Sequence, residues 1–545
     1  SARVLIVGGA GVFGRRLAEG LRATAETELI IAGRSADRAL RAADALGGEH
    51  VVLDRALTTS ADLTALRADI VIDAAGPFQG ADHRFARTVL EAGAHYVDLA
   101  DARDFVAGFA ALDAVARAQG KAAITGASST PALTHSALDA LCAGWRRVDA
   151  VRAGIAPGNR APKGRSLVEA ILSRAGAPAR VWERGAWTTR RGWSHRETIA
   201  IAGLGKRRFA LVETPDLDLI PARFAPRDSA VFMAALELPV LHRGIEAVAA
   251  LRRFRLWRSP QRAAATLTWC AGLLEHFGGD SGAMFVEAFG RDEEDKPQRA
   301  RWTLFAPAGL GPIAPTLPAL VIVRKLLLGR IAPGARACAG MLSLADLERD
   351  FARVGFVTTI EREAHVSPFE RALGAAFERL PAPVKVSHRA GPVALFSGVS
   401  EVRGPASPVA AMARLVVGFP RAAQAAPVTV TKRANADGSE TWTRVIGGRR
   451  FASIVSFAAP GLVRERFGPF SFDLRVSADA EALYMEILGW RLGPLPLPSQ
   501  LAPRSLAKES ADEAGRFHFD VPIALPIAGR ITHYAGWLRV SSDTG

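Results

Sequence analysis

The chain opens on a short apolar, β-branched run, Arg3-Val4-Leu5-Ile6-Val7, followed at once by the glycine-rich stretch Gly8–Gly14 and a helical pattern from Arg15 to Leu21. The alternation continues. Glu28–Ala32 and His50–Leu53 are strand-like with a helix over 36–46 between them, and Asp69–Phe78 is a fourth strand running into a Gly-Pro turn. Phe85–Leu90 is helical, His95–Leu99 extended, Phe105–Arg117 helical again, and Lys121–Gly126 a further strand. Strands alternating with helical segments predict an α/β fold on a doubly wound parallel sheet. Ligands of such sheets bind beyond the carboxyl ends of the strands, so Gly8–Gly14, Ala75–Phe78, Asp98–Asp101 and Gly126–Pro131 are expected around one crevice.

From about Ser367 the pattern changes to alternation with a period of two. Val428–Lys432 and Thr441–Val445 flank Asn435-Ala436-Asp437-Gly438, a hairpin signal. Phe451–Phe457, Phe470–Val476, Arg516–Val521 and Ile531–Val540 add strands, so 363–545 reads as a separate, mainly antiparallel β domain. A curved sheet around an apolar ligand and a packing or dimerising module are both open for it.

Gly9, Gly11 and Gly14 satisfy G-x-G-x-x-G between a strand and a helix, the fingerprint of a dinucleotide-binding unit. The first glycine allows the tight turn, the second lets a pyrophosphate approach the main chain, and the third lets helix and strand pack closely. Gly9, Ala10, Gly11, Val12, Phe13 and Gly14 are therefore the expected phosphate cradle. Twenty residues after Gly14, where an NAD-binding unit carries an acid, stands Arg34, followed by Ser35 and by Arg38 one helical turn on. A guanidinium fork suits a 2′-phosphate, which points to NADP. The alternative is that Ser35 caps the next helix and both arginines are solvated. Asp54 ends the third strand, where it either meets the adenine or closes a turn.

The 545 residues carry a net charge of +15. The arginines are scattered and show no RNA-binding pattern, so nucleic acid is not an expected partner. His242–Arg262 combines Arg243, Arg252, Arg253, Arg255, Arg258 and Arg262 with Ile245, Val248, Leu251, Phe254, Leu256 and Trp257. That pattern fits peripheral contact with a membrane surface, or a surface helix burying its apolar stripe against its own domain. Cys142, Cys270 and Cys338 form no paired framework, no signal-peptide pattern precedes the first strand, and no apolar run spans a bilayer. A cytoplasmic protein is expected, peripheral to the inner face of the membrane on the second reading. No histidine spacing indicates a metal site.

Gly9–Gly14, Ala75-Gly76-Pro77-Phe78-Gln79-Gly80, His95–Asp101 and Gly126–Leu133 together resemble the saccharopine dehydrogenase-like oxidoreductases, bacterial branch. Ile155–Arg160, Pro215-Asp216-Leu217 and Gly278–Met284 extend the resemblance over roughly the first 360 residues. It implies a Rossmann NADP-binding domain over 1–130, completed by a returning segment near 335–362. An inserted mixed α/β domain over 131–334 would carry substrate and dimer contacts. Beyond it, the C-terminal part is similar to an uncharacterised domain often fused to this branch. A homodimer and a small-molecule substrate are implied with it.

Ala75, Gly76 and Pro77 form a small, sharply turning backbone suited to the nicotinamide ribose. Pro131 is expected to start a helix at its favoured first-turn position. Tyr96 and Asp98 share one side of a strand and, with Asp101, Ser128 and Ser129, are candidates to donate or hold a proton; a buried ring and a turn cap are the plainer roles for the first two. Asn159 and Arg160 are candidates for a substrate carboxylate. Asp216 and Asp280 read as turn or capping residues, His83 and His95 as surface or core. The chain reads as an NADP-dependent oxidoreductase moving a hydride to or from a C–N, C=C or C=O bond of a small metabolite. A membrane-associated reductase of a lipid-linked substrate and a non-catalytic NADP-binding scaffold are the alternatives. Saccharopine itself fits poorly, because only Arg160 offers a clear charged partner.

Overall fold

The opening apolar run is strand β1 (Ala2–Val7), in which Val4, Leu5 and Ile6 are completely buried, as expected for a parallel strand covered on both faces. The computed structural model describes residues 1–161, 165–194, 197–254, 265–266, 269, 272–274, 276–389, 391–435 and 437–540. They form two units: Ser1–Glu293 with Ala300–Arg362, and Glu294–Arg299 with the residues from Glu363 onward.

In the first unit β1, β2 (Thr27–Gly33), β3 (Glu49–Val52), β4 (Ile70–Asp73), β5 (His95–Asp98) and β6 (Ala122–Thr125) belong to a seven-stranded sheet. Gly334–Ala337 lies beyond β6, and the order runs on through β6, β5, β4, β1 and β2 to β3. All six neighbouring pairs in this sheet are parallel. The order reverses between β1 and β4, which opens the crevice where such sheets bind ligands. Helix α1 (Val12–Thr24) buries Gly14, Leu17, Ala18 and Leu21, one stripe at helical spacing. Helix α2 (Ala36–Leu46) starts at Ser35, whose hydroxyl accepts the Arg38 N–H, and stops at left-handed Gly47.

A second, mixed sheet follows the order Glu197–Ile201, Gly205–Leu211, Ser229–Ala234, Arg147–Ala156, Gly282–Arg291, Pro297–Ala306 and Val357–Ala364. Buried Arg152 lies on its central strand, paired with Glu197 and with Glu287. The returning segment behaves differently from the expectation over 335–362. Gly334–Ala337 joins the first sheet, but Val357–Ala364 adds to the edge of the second. All eight residues of that strand are exposed, so it has no apolar face to place inside a doubly wound sheet. Strand β4 is also shorter than its apolar run, because the chain leaves the sheet after Asp73.

The second unit is an antiparallel meander. Val393–Arg403, Ala423–Ala434, Glu440–Ile446, Arg449–Ala459, Leu462–Phe467, Phe470–Ala478, Ala482–Leu492, Leu506–Ala511, Phe517–Leu525 and Gly529–Val540 each pair with the next, and the last returns to the first. The sheet thus closes into a barrel, with the two-residue strand Leu495–Pro496 outside the ring. Its core includes Phe396, Trp442, Phe451, Phe517, Phe519 and Tyr534.

Candidate functional site

The glycine turn is sterically closed to side chains. Gly8 has φ of +77°, and a Cβ there would come within 3.0 Å of Ala75. A Cβ on Gly14 would lie 2.3 Å from the Gly8 carbonyl oxygen, and one on Gly9 would meet Ile31 Cγ2 at 2.9 Å. Gly11 is the N-cap of α1, donates its N–H to the Gly8 carbonyl at 2.8 Å, and leaves the helix start without a side-chain cap. Val12 and Phe13 are exposed in the first turn, which holds no acid, and Ala10 is half-buried. An uncapped helix start with bare glycine before it is a ready anion site. A Cβ on Gly33 or Gly76 would meet nothing within 4 Å, so open space flanks this turn at the ends of β2 and β4. These residues fit a dinucleotide.

Arg34 and Arg38 are both exposed, and neither side chain forms a hydrogen bond or ion pair with the described residues. Ser35 does cap α2, and the two arginines remain available beside it. Asp54 uses Oδ1 to accept the Ala56 N–H at 2.9 Å, closing a turn. Across the crevice, the turn Ala75-Gly76-Pro77 contains a cis Gly76–Pro77 bond, and Gln79 Nε2 donates to Asp101 at 3.3 Å.

A buried acidic pair stands at the carboxyl ends of β4 and β5, where Asp73 and Asp98 are register partners. Asp73 accepts from Arg55 at 2.9 Å and from the Ala75 N–H at 3.0 Å. Tyr96 packs between Phe85 and Phe109, and its hydroxyl approaches Asp73 Oδ2 at 3.5 Å. Asp98 Oδ1 accepts from Gly126 N–H (2.7 Å), Thr125 Oγ1 (2.9 Å) and Ala100 N–H (3.0 Å), while Oδ2 is buried without a hydrogen bond of normal geometry. Burial pushes the Asp98 carboxyl up to about 7 despite those three donors, with Asp73 adding repulsion, and burial raises Asp73 and Tyr96 as well. Asp73 and Arg55 were not among the sequence candidates. The signal was an acid in the aliphatic run Ile70-Val71-Ile72-Asp73 just before the Gly-Pro turn.

Ser128 lies in the loop after β6, nearly buried, with no side-chain hydrogen bond to a described residue. Pro131 does not start a helix as expected. Thr130 is extended and bonded to Pro131 by a cis peptide, Ser129–Leu133 makes one wide turn, and the α-helix begins at Thr134. The residue before a proline resists helical geometry, which delays the start. Thr130 Oγ1 donates to Asp216 at 2.8 Å, and His135 Nε2 lies 3.3 Å from the same carboxylate. Asp216, in the first turn of helix Asp216–Phe224, is thus also a buried tie to the loop after β6. His135 is a residue the sequence did not single out.

Asn159 and Arg160 gather with the Gly278–Ser281 loop rather than with the Asp73–Asp98 pair. A Cβ on Gly158 would meet the Ser281 carbonyl at 2.7 Å. The Asn159 amide donates to the Leu274 and Phe277 carbonyls, and Arg160 reaches the His276 carbonyl. Glu237, also unforeseen, accepts the Asn159 and Gly279 N–H groups and joins the two loops. Asp280 belongs to the same loop and accepts from Gly309 through its carbonyl. His83 bonds to the Phe105 carbonyl between two phenylalanine rings, and His95 accepts the Ala122 N–H, so both are structural.

Burial pushes the Cys142 and Cys338 thiols up to about 12, which suits inert filler; Cys270 lies outside the described residues. Of the basic segment His242–Arg262, helix Pro239–Arg253 buries His242, Val248 and Ala249, with Ile245 packed on the same cluster; Arg255, Leu256, Trp257, Arg258 and Arg262 lie outside the described residues. Among the described residues, no helix is long and apolar enough to cross a membrane, and no group of three His, Cys, Asp or Glu is placed to hold a metal ion.

Residues 4–127 match the family model of the saccharopine dehydrogenase NADP binding domain, and residues 380–538 match a domain of unknown function (DUF4166). Among solved structures, the chain is similar in fold to apo saccharopine dehydrogenase (L-Glu forming) from Saccharomyces cerevisiae: TM-score 0.51 at 12% identity, over 67% of this chain and 100% of that one. A homospermidine synthase from Legionella pneumophila, solved with NAD, aligns with a TM-score of 0.46 at 12% identity, over 68% of this chain and 93% of that one. No curated protein matches the chain.

Proposed function

Proceeding from a saccharopine dehydrogenase-type NADP-binding domain at residues 4–127, we propose that this NAD(P)-dependent oxidoreductase takes NADP and acts on a C–N, C=C or C=O bond of a small metabolite. The observation carrying the choice of NADP is the pair of exposed arginines, Arg34 and Arg38, without a partner among the described residues, where an NAD-binding unit needs an acid. Gly9 to Gly14 would hold the pyrophosphate and Arg34, Ser35 and Arg38 the 2′-phosphate. Asp54 would border the adenine, and Ala75, Gly76 and Pro77 would support the nicotinamide ribose. When bound, the nicotinamide supplies or accepts the hydride.

The chain's own groups then handle position and protons. Ser128, with its hydroxyl uncommitted, is our candidate for the hydrogen bond to the substrate's reacting oxygen or nitrogen. Asp98 and Tyr96 act behind it as positioning residues: Asp98 holds the loop at Thr125 and Gly126, and the Tyr96 hydroxyl reaches Asp73. In the domain over 131–334, Arg160 is our candidate for a substrate carboxylate. The Asn159 amide is committed to main-chain carbonyls and serves to shape that loop.

Calorimetric titration of the full chain with NADPH and NADH tests the reading. We expect NADPH to bind at least about tenfold tighter, the worth of one charge-assisted hydrogen bond; equal affinities remove the arginines from the cofactor site, and no heat with either removes the enzyme. Transfer of deuterium from labelled NADPH across a metabolite panel then identifies the substrate.

A further inference from the structure

The barrel of the second unit is not filled. It encloses a cavity of about 150 Å³, lined mainly by apolar side chains, among them Val430, Leu474, Met485, Ala507, Phe519 and Leu538. The alternation of its strands explains the lining: Val428, Val430 and Lys432 share one face of their strand, and Phe517, Phe519, Val521 and Ile523 share one face of theirs. A closed ring wider than eight strands leaves more interior than side chains fill. An apolar cavity of this volume accepts at least a benzene-sized group.

The charges lining the cavity balance, Lys432 and Arg444 against Glu465 and Glu509. Arg444 pairs with Glu465 at 3.0 Å and bonds Ser453 at 2.8 Å. Glu509 pairs with His388. Lys432 donates to the Ser387 carbonyl at 2.7 Å and its hydroxyl at 3.0 Å, and lies 3.8 Å from the centre of the Trp442 ring. A charged ligand would bring an uncompensated charge into this low-dielectric interior. Tyr534 differs from its neighbours. It lines the cavity, is only 7% exposed, and its hydroxyl makes no hydrogen bond with a described residue, although buried phenols ordinarily find a partner.

We infer that the barrel binds a neutral, largely apolar small molecule carrying a carbonyl or hydroxyl oxygen, hydrogen-bonded by Tyr534. The inference is independent of the dinucleotide site. The test uses the full chain, 1-aminoanthracene as fluorescent reporter, and octan-2-one and octanoate as competitors. Saturable reporter binding is expected, displaced by octan-2-one, with octanoate at least tenfold weaker. Tyr534→Phe keeps the ring and should raise the octan-2-one Kd about fivefold, the loss of one hydrogen bond, without changing the thermal melt. Ala507→Phe fills the lumen and should abolish reporter binding. No saturable binding, octanoate as tight as the ketone, a Tyr534→Phe variant with unchanged ketone affinity, or a folded Ala507→Phe variant that still binds the reporter would each overturn it.

Discussion

Arg34 and Asp98 show how differently two single residues can be read. Arg34 is exposed and has no partner among the described residues, so its meaning lies in position alone, and that position is legible in the chain as a count from Gly14. Arg34→Asp should weaken NADPH about 10- to 100-fold, from lost charge-assisted bonds, and leave NADH nearly unchanged; parallel titrations of both dinucleotides check it. Asp98 could not be read that way. Its environment comes from β4 and the loop after β6, neither adjacent to it in sequence. Its folded pKa of about 7 lies above the unfolded value, so the neutral acid is favoured by folding. That contribution is complete below about pH 4 and is lost as pH rises through 7. Asp98→Asn, neutral at every pH, should therefore lack the fall in stability between about pH 4 and 7 expected of wild type, as measured by thermal melts at stepped pH.

The turn joining β1 to α1 shows what an element adds. Periodicity and glycine spacing placed it correctly, because a strand end, a tight turn and a helix start are all local events. What the spacing left open is how little room each glycine has. Gly14→Ala places a Cβ 2.3 Å from a backbone oxygen that cannot rotate away. The overpacking cost exceeds the gain of about 1 kcal/mol in helix propensity, so a net loss of about 2 kcal/mol is expected in denaturant melts. At Gly11 the nearest contact is 3.0 Å, so Gly11→Val should remain folded by circular dichroism yet lose both NADPH and NADH. Pro131 is the counterexample: its first-turn helix preference was overridden by Thr130, extended beside it and bonded to Asp216 from far along the chain.

At the scale of the molecule, the change of period after Ser367 announced a second β-rich unit, and its hairpins were readable because each joins neighbours in sequence. Closure was not readable, since it rests on pairing Val393–Arg403 with Gly529–Val540. The destination of Val357–Ala364 was hidden for the same reason. Each unit has its own buried cluster, so calorimetry should resolve two unfolding transitions. NADPH at 100 times its Kd should raise the stability of one by about 2.7 kcal/mol and leave the other in place.

By itself the chain determined its alternating elements, the bare glycine bend, the cationic residues after the second strand and the switch to antiparallel hairpins. All of these follow from propensity and spacing over a few residues. The tertiary structure decided the buried Asp73–Asp98 pair, the tie of Asp216 to Thr130, the grouping of Asn159 with Glu237 and the lumen of the barrel. Those depend on segments brought together by packing, where burial rather than residue type sets protonation, partners and enclosed space.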